Sequence, residues 1–396
     1  MSTIKVQNIQ HTASSTNAIA LASDGTCTAN ITNNLSNRRL TINGDMRIAQ
    51  RGTSGTDTGY QTVDRFQVAY SGTDEAPTQS QVDIASGTTP YSIGFRKAYR
   101  ATNGNQTSGA GAGDQVFFIH KLEARDIATS GWNYTDSNSF ITLSFWVKSS
   151  VAQNFHGYLL AHDGTQQKYP YETGSLSANT WTKVTKTIPG NSNLQFDTDT
   201  ETNASSVGLH IILTPYLGTD YTDSGVSLNT WSAYASGTRT PDQTSTWYTT
   251  NDATLEITGV QLEVGSVATD FEFRSYAQEL ALCQRYLYVL VDQAGGSTQR
   301  PVANLQAYTT SYLYGTVDLP VEMRIPPTIV SSSGTNYFVL YAAAGALYAP
   351  QVYSARQSTS VAELQVITST TGVDVDSPYF MRTNNASAYV QFWAEL

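Results

Sequence analysis

Aromatic side chains in polar, turn-rich stretches are the residues of this chain whose type and spacing best suit a chemical task. A tryptophan or tyrosine ring combines an apolar face with a polar atom, so it can stack on the C–H face of a sugar while nearby amides bind the hydroxyls. The candidate glycan contacts are Trp132, Tyr134, Tyr169, Tyr171, Trp231, Tyr234 and Trp247. Each also has a structural alternative, because such rings fill core edges in large β-sandwiches and subunit interfaces.

Acidic side chains are the second group, since cleavage of a polysaccharide needs two carboxyl groups roughly 5–9.5 Å apart. The candidates are the run Asp197, Asp199 and Glu201, the pair Asp220 and Asp223, and the pair Glu123 and Asp126. The oxygens of the first run could also hold calcium, and a solvated acidic turn is the third interpretation. Lys121 and Arg125 adjoin the last pair, which favours ion pairing there. We therefore expect no catalytic residue, no metal and no cofactor, with a structural calcium ion at the first run as the alternative.

Histidine and cysteine add no catalytic or metal-binding pattern. The five histidines are scattered, and no two of them flank a glutamate at the spacing that zinc proteases use. No Gly-x-Ser-x-Gly elbow is present, while a Ser–His–Asp arrangement stays open because such residues meet only in space. Cys27 and Cys283 are far apart and lack metal-like or redox-like neighbours, so both are predicted to be free thiols.

The charge balance excludes several classes of partner. With 22 basic and 32 acidic residues the chain has a net charge of −10, whereas nucleic-acid binding needs clustered lysine and arginine. No apolar run approaches the roughly 20 residues of a membrane-spanning helix, so no membrane insertion is expected. The N-terminus lacks the pattern of a secretory signal. An extracellular role would then require another route of release, such as assembly inside a cell followed by lysis.

The composition predicts an all-β fold. The chain has 24 Tyr, 13 Phe and 6 Trp but only 14% charged residues, and it is rich in residues that favour strands or tight turns. The clearest strand is 140–148, where Ile141, Leu143, Phe145 and Val147 form an apolar face at period two. Further strands are predicted at 116–123, 158–162, 182–187, 207–213 and 253–263. Short strands between Gly- and Asn-rich loops indicate a jelly roll or β-sandwich.

The chain divides into four parts on these patterns. Residues 1–37 form an N-terminal segment with too little apolar content for a core of its own. Residues 38–274 form the large jelly-roll domain, 275–296 a connector helix, and 297–396 a smaller C-terminal β-domain.

The helix has a recognisable start and one apolar face. Ser275 is placed to cap it, with Gln278 reaching back to the cap. The face consists of Tyr276, Leu280, Cys283 and Leu287. Two roles stay open for this helix: a connector between parts or chains, or an element packed on its own sandwich.

Three stretches resemble the sequences of phage tail-fibre and virion-appendage proteins, particularly those of phages that infect aquatic bacteria. They are 43–53 (NGDMRIAQRGT) with 62–66 (TVDRF), 257–265 (ITGVQLEVG) with 273–276 (FRSY) and 279–286 (ELALCQRY), and 318–328 (DLPVEMRIPPT). The segment 22–26 (ASDGT), near the N-terminus, also resembles these proteins. Residues 118–126 followed by 140–148 also resemble the jelly roll of carbohydrate-binding modules, which marks a fold and does not locate a sugar site.

The tail-fibre resemblance implies a non-enzymatic structural protein of the virion, located in a tail appendage. It implies a homotrimer, contact of the segment 1–37 with other tail or adaptor proteins, and attachment to the host cell through a surface glycan. One alternative is a capsid or tail decoration protein without a receptor role. Another is a host-polysaccharide depolymerase, and a third is a secreted bacterial carbohydrate-binding protein, which the missing signal pattern disfavours.

Overall fold

The structure, a computed structural model, describes residues 6–10, 12, 19–21, 23, 27–29, 38–196, 207–292, 298–342, 345–368 and 373–396. Within these ranges strands dominate and helices are short, which confirms the all-β prediction. No helix in the same ranges is long and apolar enough to cross a membrane. The acidic run at 197–201 lies outside the described residues, so the calcium alternative stays a prediction.

The N-terminal segment contributes a small antiparallel sheet. Its three strands are β1 (Asn8–Ile9), β2 (Ile19–Leu21) and β3 (Cys27–Ala29), with β2 in the middle. β2 pairs antiparallel with both of its neighbours. Both residues of β1 are exposed, in keeping with the low apolar content of this segment.

The large domain is a sandwich of two six-stranded antiparallel sheets. Its elements in chain order are β4 (Ser54–Gly55), β5 (Phe66–Ser71), β6 (Thr78–Asp83), α1 (Thr89–Ser92), β7 (Lys97–Thr102), β8 (Gln115–Glu123), α2 (Ala124–Ala128), β9 (Phe140–Ser149), β10 (Gln153–Ala161), β11 (Gln167–Leu176), β12 (Thr182–Pro189), β13 (Val207–Leu217), β14 (Ser232–Ala233), a 3-10 turn (Ser236–Thr238) and β15 (Thr254–Val264). The first sheet has the order β14-β11-β10-β13-β8-β5, and the second has the order β12-β9-β15-β7-β6-β4. All five further strands predicted from the sequence are present, as β8, β10, β12, β13 and β15.

The sandwich core lies where period-two alternation predicts it. In β9, Ile141, Leu143 and Val147 are fully buried and Phe145 is 3% exposed. They belong to one cluster with Phe118 of β8 in the opposite sheet. Because each buried aliphatic or aromatic side chain contributes about 1.5–3 kcal/mol, this shared cluster is what holds the two sheets together.

The longest helix among the described residues, α3 (Tyr276–Gln284), begins as predicted, and its buried face differs from the predicted one at Tyr276. Ser275 and Gln278 form the expected reciprocal capping box. Tyr276, however, is 58% exposed, and the side chains buried beneath the helix are Glu279 and Cys283, the latter a free thiol. The predicted face is therefore wrong at Tyr276, because a charged residue, Glu279, is drawn inward by a buried arginine of the sandwich, Arg39. The helix packs on its own chain.

The C-terminal domain begins directly after α3, within the segment predicted to be connector. Its strands are β16 (Leu287–Val291), β17 (Pro301–Ala307), β18 (Tyr312–Asp318), β19 (Thr328–Ser331), β20 (Phe338–Ala342), β21 (Gly345–Ala349), β22 (Val352–Gln357), β23 (Val361–Ile367), β24 (Pro378–Thr383) and β25 (Val390–Trp393). A three-stranded sheet, β16-β25-β19, and a seven-stranded sheet, β21-β20-β24-β17-β18-β23-β22, enclose a second core. The connector is thus the nine-residue helix alone.

Buried ion pairs fix the two domains against each other. Glu123, at the end of β8, accepts hydrogen bonds from Arg285 at 3.0 Å and from the hydroxyl of Tyr286. Glu395, beyond β25, pairs with Arg51 and Arg65 of the sandwich. Burial tends to raise the pKa of Glu123, but these bonds outweigh it and the pKa is lowered. Such charges are stable in a buried site only when they are paired, so the two domains depend on each other at this junction.

Candidate functional site

Five of the seven aromatic candidates from the sequence lie inside the sandwich. They are Trp132, Tyr169, Tyr171, Trp231 and Trp247, each at most 8% exposed. Their polar atoms are largely used internally: the Tyr171 hydroxyl donates to the Ile212 carbonyl at 2.8 Å, and the Trp231 indole donates to the Pro189 carbonyl at 2.7 Å. A ring without a free face cannot stack on a sugar, so the prediction of glycan contact is wrong for these five. These rings fill the sandwich core, which is the alternative role that the sequence left open for them.

Tyr134 and Tyr234 are half-buried, and their role as glycan contacts stays a prediction. Tyr134 packs edge-on against Phe196, with 5.1 Å between ring centroids. Tyr234 packs on the outer side of the first sandwich sheet. The two tyrosines belong to different clusters, so they do not form one aromatic platform.

The outer face of the first sandwich sheet is partly covered by the chain itself. Phe117 and Tyr158 point outward from β8 and β10, yet both are buried. Tyr221 and Tyr234 pack on them, and the guanidinium of Arg239 lies 5.8 Å from the Phe117 ring and 4.4 Å from the Tyr221 ring. Little of this aromatic surface is left for a ligand.

The seven-stranded sheet of the C-terminal domain carries an open cleft of about 1020 Å³ on the face opposite its core. It is lined by Asn304, Leu305, Gln306, Ala307, Tyr308, Tyr314, Gly315, Thr316, Ser354, Ala355, Arg356, Glu363, Gln365, Asp376 and Pro378. Seven of these fifteen residues are amides, hydroxyls or tyrosines and only three are charged, which suits a polar, uncharged ligand with an apolar face.

Period-two alternation in three adjacent strands builds the cleft floor. Leu305, Leu313 and Leu364 of β17, β18 and β23 face the core, so their neighbours face outward. The strand register then places Gln306, Tyr314 and Gln365 side by side across the three strands. Tyr353 of β22 continues the row, which therefore alternates amide and phenol side chains.

Gly315 of β18 allows β17 and β18 to lie close together beneath the cleft. A Cβ atom at this position would lie 2.2 Å from the Asn304 carbonyl oxygen, a distance no side chain tolerates. The glycine therefore sets how tightly β17 packs beside β18 under the cleft.

Two tyrosines and an amide form the best-organised part of the cleft. The Gln365 side-chain amide donates to the Tyr314 hydroxyl at 2.6 Å, which holds that ring in place. Tyr308 lies in the turn between β17 and β18, is 74% exposed, and meets Tyr314 edge-on at 5.9 Å. The arrangement offers an accessible aromatic surface beside a fixed polar group, which is the chemistry of sugar stacking with hydroxyl recognition.

Two carboxylates also line the cleft, but they are far apart. Glu363 lies on β23 and Asp376 lies just before β24, with β18 and β17 between them. Three strand spacings of roughly 4.8 Å separate their backbones by about 14 Å. Within the ranges that the structure describes, no group of three or more His, Cys, Asp or Glu side chains could hold a metal ion.

Sequence reasoning did not select any residue of this cleft as a glycan contact. The available signal was the alternation of Tyr312, Tyr314 and Thr316 with Leu313 in the segment that forms β18. Alternation identifies two faces, but which face meets a core depends on how the sheets pack.

Comparisons with known proteins find a distant likeness to solved structures. No protein-family model matches the chain, and no curated protein matches it. The enzymatically active domain of tailspike protein 4 from bacteriophage CBA120 is 10% identical, with a TM-score of 0.30 over 57% of this chain. The match spans only 21% of that tailspike chain.

Two carbohydrate-binding domains are also similar. The N-terminal cellulose-binding domain of β-1,4-glucanase C from Cellulomonas fimi is 12% identical, with a TM-score of 0.27 over 56% of this chain and 99% of that domain. The family 11 carbohydrate-binding module from Clostridium thermocellum is 9% identical, with a TM-score of 0.24 over 55% and 98%.

Proposed function

We propose that this protein is a virion appendage that attaches to the host cell by binding a surface glycan in the cleft of its C-terminal domain. The observation that carries the proposal is the exposed Tyr308 ring beside Tyr314, whose hydroxyl is held by Gln365. A pyranose ring can stack on the open tyrosine while its hydroxyls bind the amide row. The tail-fibre resemblance of the sequence supports the virion part of the proposal.

The charge pattern supports an uncharged or weakly charged ligand. The chain has a net charge of −10, and among the described residues that line the cleft Arg356 is the one cation. Polyanions are therefore repelled at long range, whereas a sugar is recognised through stacking and hydrogen bonds. Such contacts are individually weak and reversible, as adhesion requires.

The proposed mechanism is binding without cleavage. Hydrolysis of a glycosidic bond needs two carboxyl groups roughly 5–9.5 Å apart, whereas the backbones of Glu363 and Asp376 are about 14 Å apart by strand spacing alone. The virion location and the homotrimer are part of the proposal. Three weak sites on one appendage would raise avidity through effective concentration without any new contact.

Tyr308→Ala and Tyr314→Ala are each expected to weaken glycan binding by about tenfold or more, because each removes an aromatic stacking surface worth roughly 1.4 kcal/mol. The measurement is binding of the full-length protein to an array of bacterial O-antigen and capsular oligosaccharides. The best-bound polysaccharide is then titrated by calorimetry. Tyr308 is the cleaner test, since its exposure means that its loss costs little stability.

Tyr276→Ala is the matched control, because Tyr276 is also an exposed tyrosine but lies on α3, outside the cleft. It should bind like the parent protein. If neither cleft variant changes binding, the site is elsewhere. If the array shows no binding at all, the proposal is overturned in favour of a decoration protein without a receptor role. Release of reducing ends from the polysaccharide would instead identify a depolymerase.

A further inference from the structure

An exposed phenylalanine borders the cleft on its β24 side. Phe380 is 61% exposed, whereas its strand neighbours Tyr379 and Met381 are buried in the domain core. The strand register places Phe380 directly opposite Asn304, a cleft residue of β17. Pro378, two positions earlier on the same face, also lines the cleft. The ring therefore continues the cleft surface without a break.

A second aromatic residue extends this surface by one more strand. Tyr341 of β20 is paired in register with Phe380, so the two rings share the outer face of the sheet. The Tyr341 hydroxyl donates to the Gln299 side chain at 2.9 Å, and the Arg382 guanidinium lies 5.6 Å from the centre of its ring. These two contacts hold the Tyr341 ring in place, which lowers the entropy cost of using it as a binding surface.

We propose that Phe380 and Tyr341 form, with the cleft, one continuous track that binds an extended polysaccharide. This inference rests on the proposed function and adds the class of ligand: a linear polymer of several sugars, as opposed to a terminal mono- or disaccharide. From Tyr341 on β20 to Tyr353 on β22 the track crosses five strand spacings, or about 24 Å at roughly 4.8 Å each. The cleft row from Pro378 to Tyr353 crosses only four, or about 19 Å.

The chemistry of the track changes along its length. Its β22 side carries amide and phenol groups, with Gln365 and Tyr353 in one row, whereas Phe380, one strand from the β20 end, is a purely apolar ring. A phenylalanine side chain forms no hydrogen bond. It can pack against any sugar that presents a C–H face, so it adds affinity without discriminating between sugars. This combination suits a repeating polymer, which is recognised in the cleft and merely supported beyond it.

The test is the dependence of affinity on chain length. The probes are size-fractionated oligosaccharides, from disaccharide to decasaccharide, prepared from the best-bound polysaccharide of the array. For the parent protein, affinity should rise with length until the chain spans the track and then level off. Phe380→Ala should weaken binding of the longest oligosaccharides by about fivefold to tenfold while leaving the shortest bound fragment unchanged.

The two proposals fail in different ways. Tyr314→Ala should weaken binding at every length, because it damages the cleft itself. If Tyr314→Ala does so but Phe380→Ala has no effect at any length, the cleft stands and the track is overturned. The track is also overturned if Phe380→Ala changes the native mass measured by light scattering, because the ring then belongs to an interface with a second copy of the chain.

Discussion

Glu279→Ala is expected to lose about 3–5 kcal/mol of unfolding free energy, the cost of leaving a buried charge without its partner. The side chains of Glu279 and Arg39 are both 0% exposed and form an ion pair between α3 and the sandwich. Glu279 also accepts a hydrogen bond from the backbone amide of Asn43. Burial lowers the pKa of Arg39 and Glu279 opposes that effect, so the carboxylate stabilises the charged form of the buried arginine.

Urea denaturation followed by circular dichroism measures the loss, and two variants serve as references. Glu322→Ala removes an exposed glutamate and should change stability by less than about 0.5 kcal/mol. The double variant Arg39→Met, Glu279→Leu should recover much of the loss, because it removes the orphaned charge as well as its partner. A Glu279→Ala variant within about 1 kcal/mol of the parent protein would show that the pair contributes little.

Acidification is expected to destabilise the protein below pH 6.5, with the buried His120 as one contributor. This imidazole is buried, stacks on Phe66 at 4.4 Å, and has Nδ1 3.0 Å from the Arg65 carbonyl. Burial, assisted by the charge of Arg65, lowers its pKa from 6.5 to about 3. The unfolded chain therefore takes up a proton at a pH where the folded chain does not. The associated stability is present above pH 6.5 and is lost as the pH falls towards 3.

The expected size of this effect at pH 5 is about 2 kcal/mol for His120 alone, at roughly 1.36 kcal/mol per pH unit. His162 and His210 act in the same direction, since burial lowers both pKa values. Their rings contact each other at 3.2 Å on the outer face of the first sheet. His156 follows the same pattern through burial.

The urea midpoint at pH 7.5, 6.0 and 5.0 measures this acid sensitivity. His120→Asn keeps a short polar side chain that can donate towards the Arg65 carbonyl but takes up no proton in this range. It should be less stable than the parent protein at pH 7.5 and show a shallower loss towards pH 5.0. Parallel pH profiles for the two proteins would mean that His120 does not govern acid sensitivity.

Local patterns predicted the elements of the fold well. Strand 140–148 and the capping box at Ser275 and Gln278 were both confirmed, because alternation and helix capping depend on residues only two or three positions apart. The helix face at Tyr276 was predicted incorrectly, since its orientation depends on Arg39, far away in sequence.

The sequence by itself determined the all-β class and the positions of the strands, because these follow from composition and short-range periodicity. The tertiary structure decided which aromatic side chains are exposed and can therefore contact a ligand. Trp132, Trp231 and Trp247 look like contact residues in the sequence but fill the sandwich, whereas Tyr308 and Phe380 are exposed on the C-terminal sheet. Exposure depends on contacts between distant segments: Arg39 and Glu279, for example, are 240 positions apart. Local sequence patterns do not predict such long-range contacts, because these contacts form only when the sheets pack.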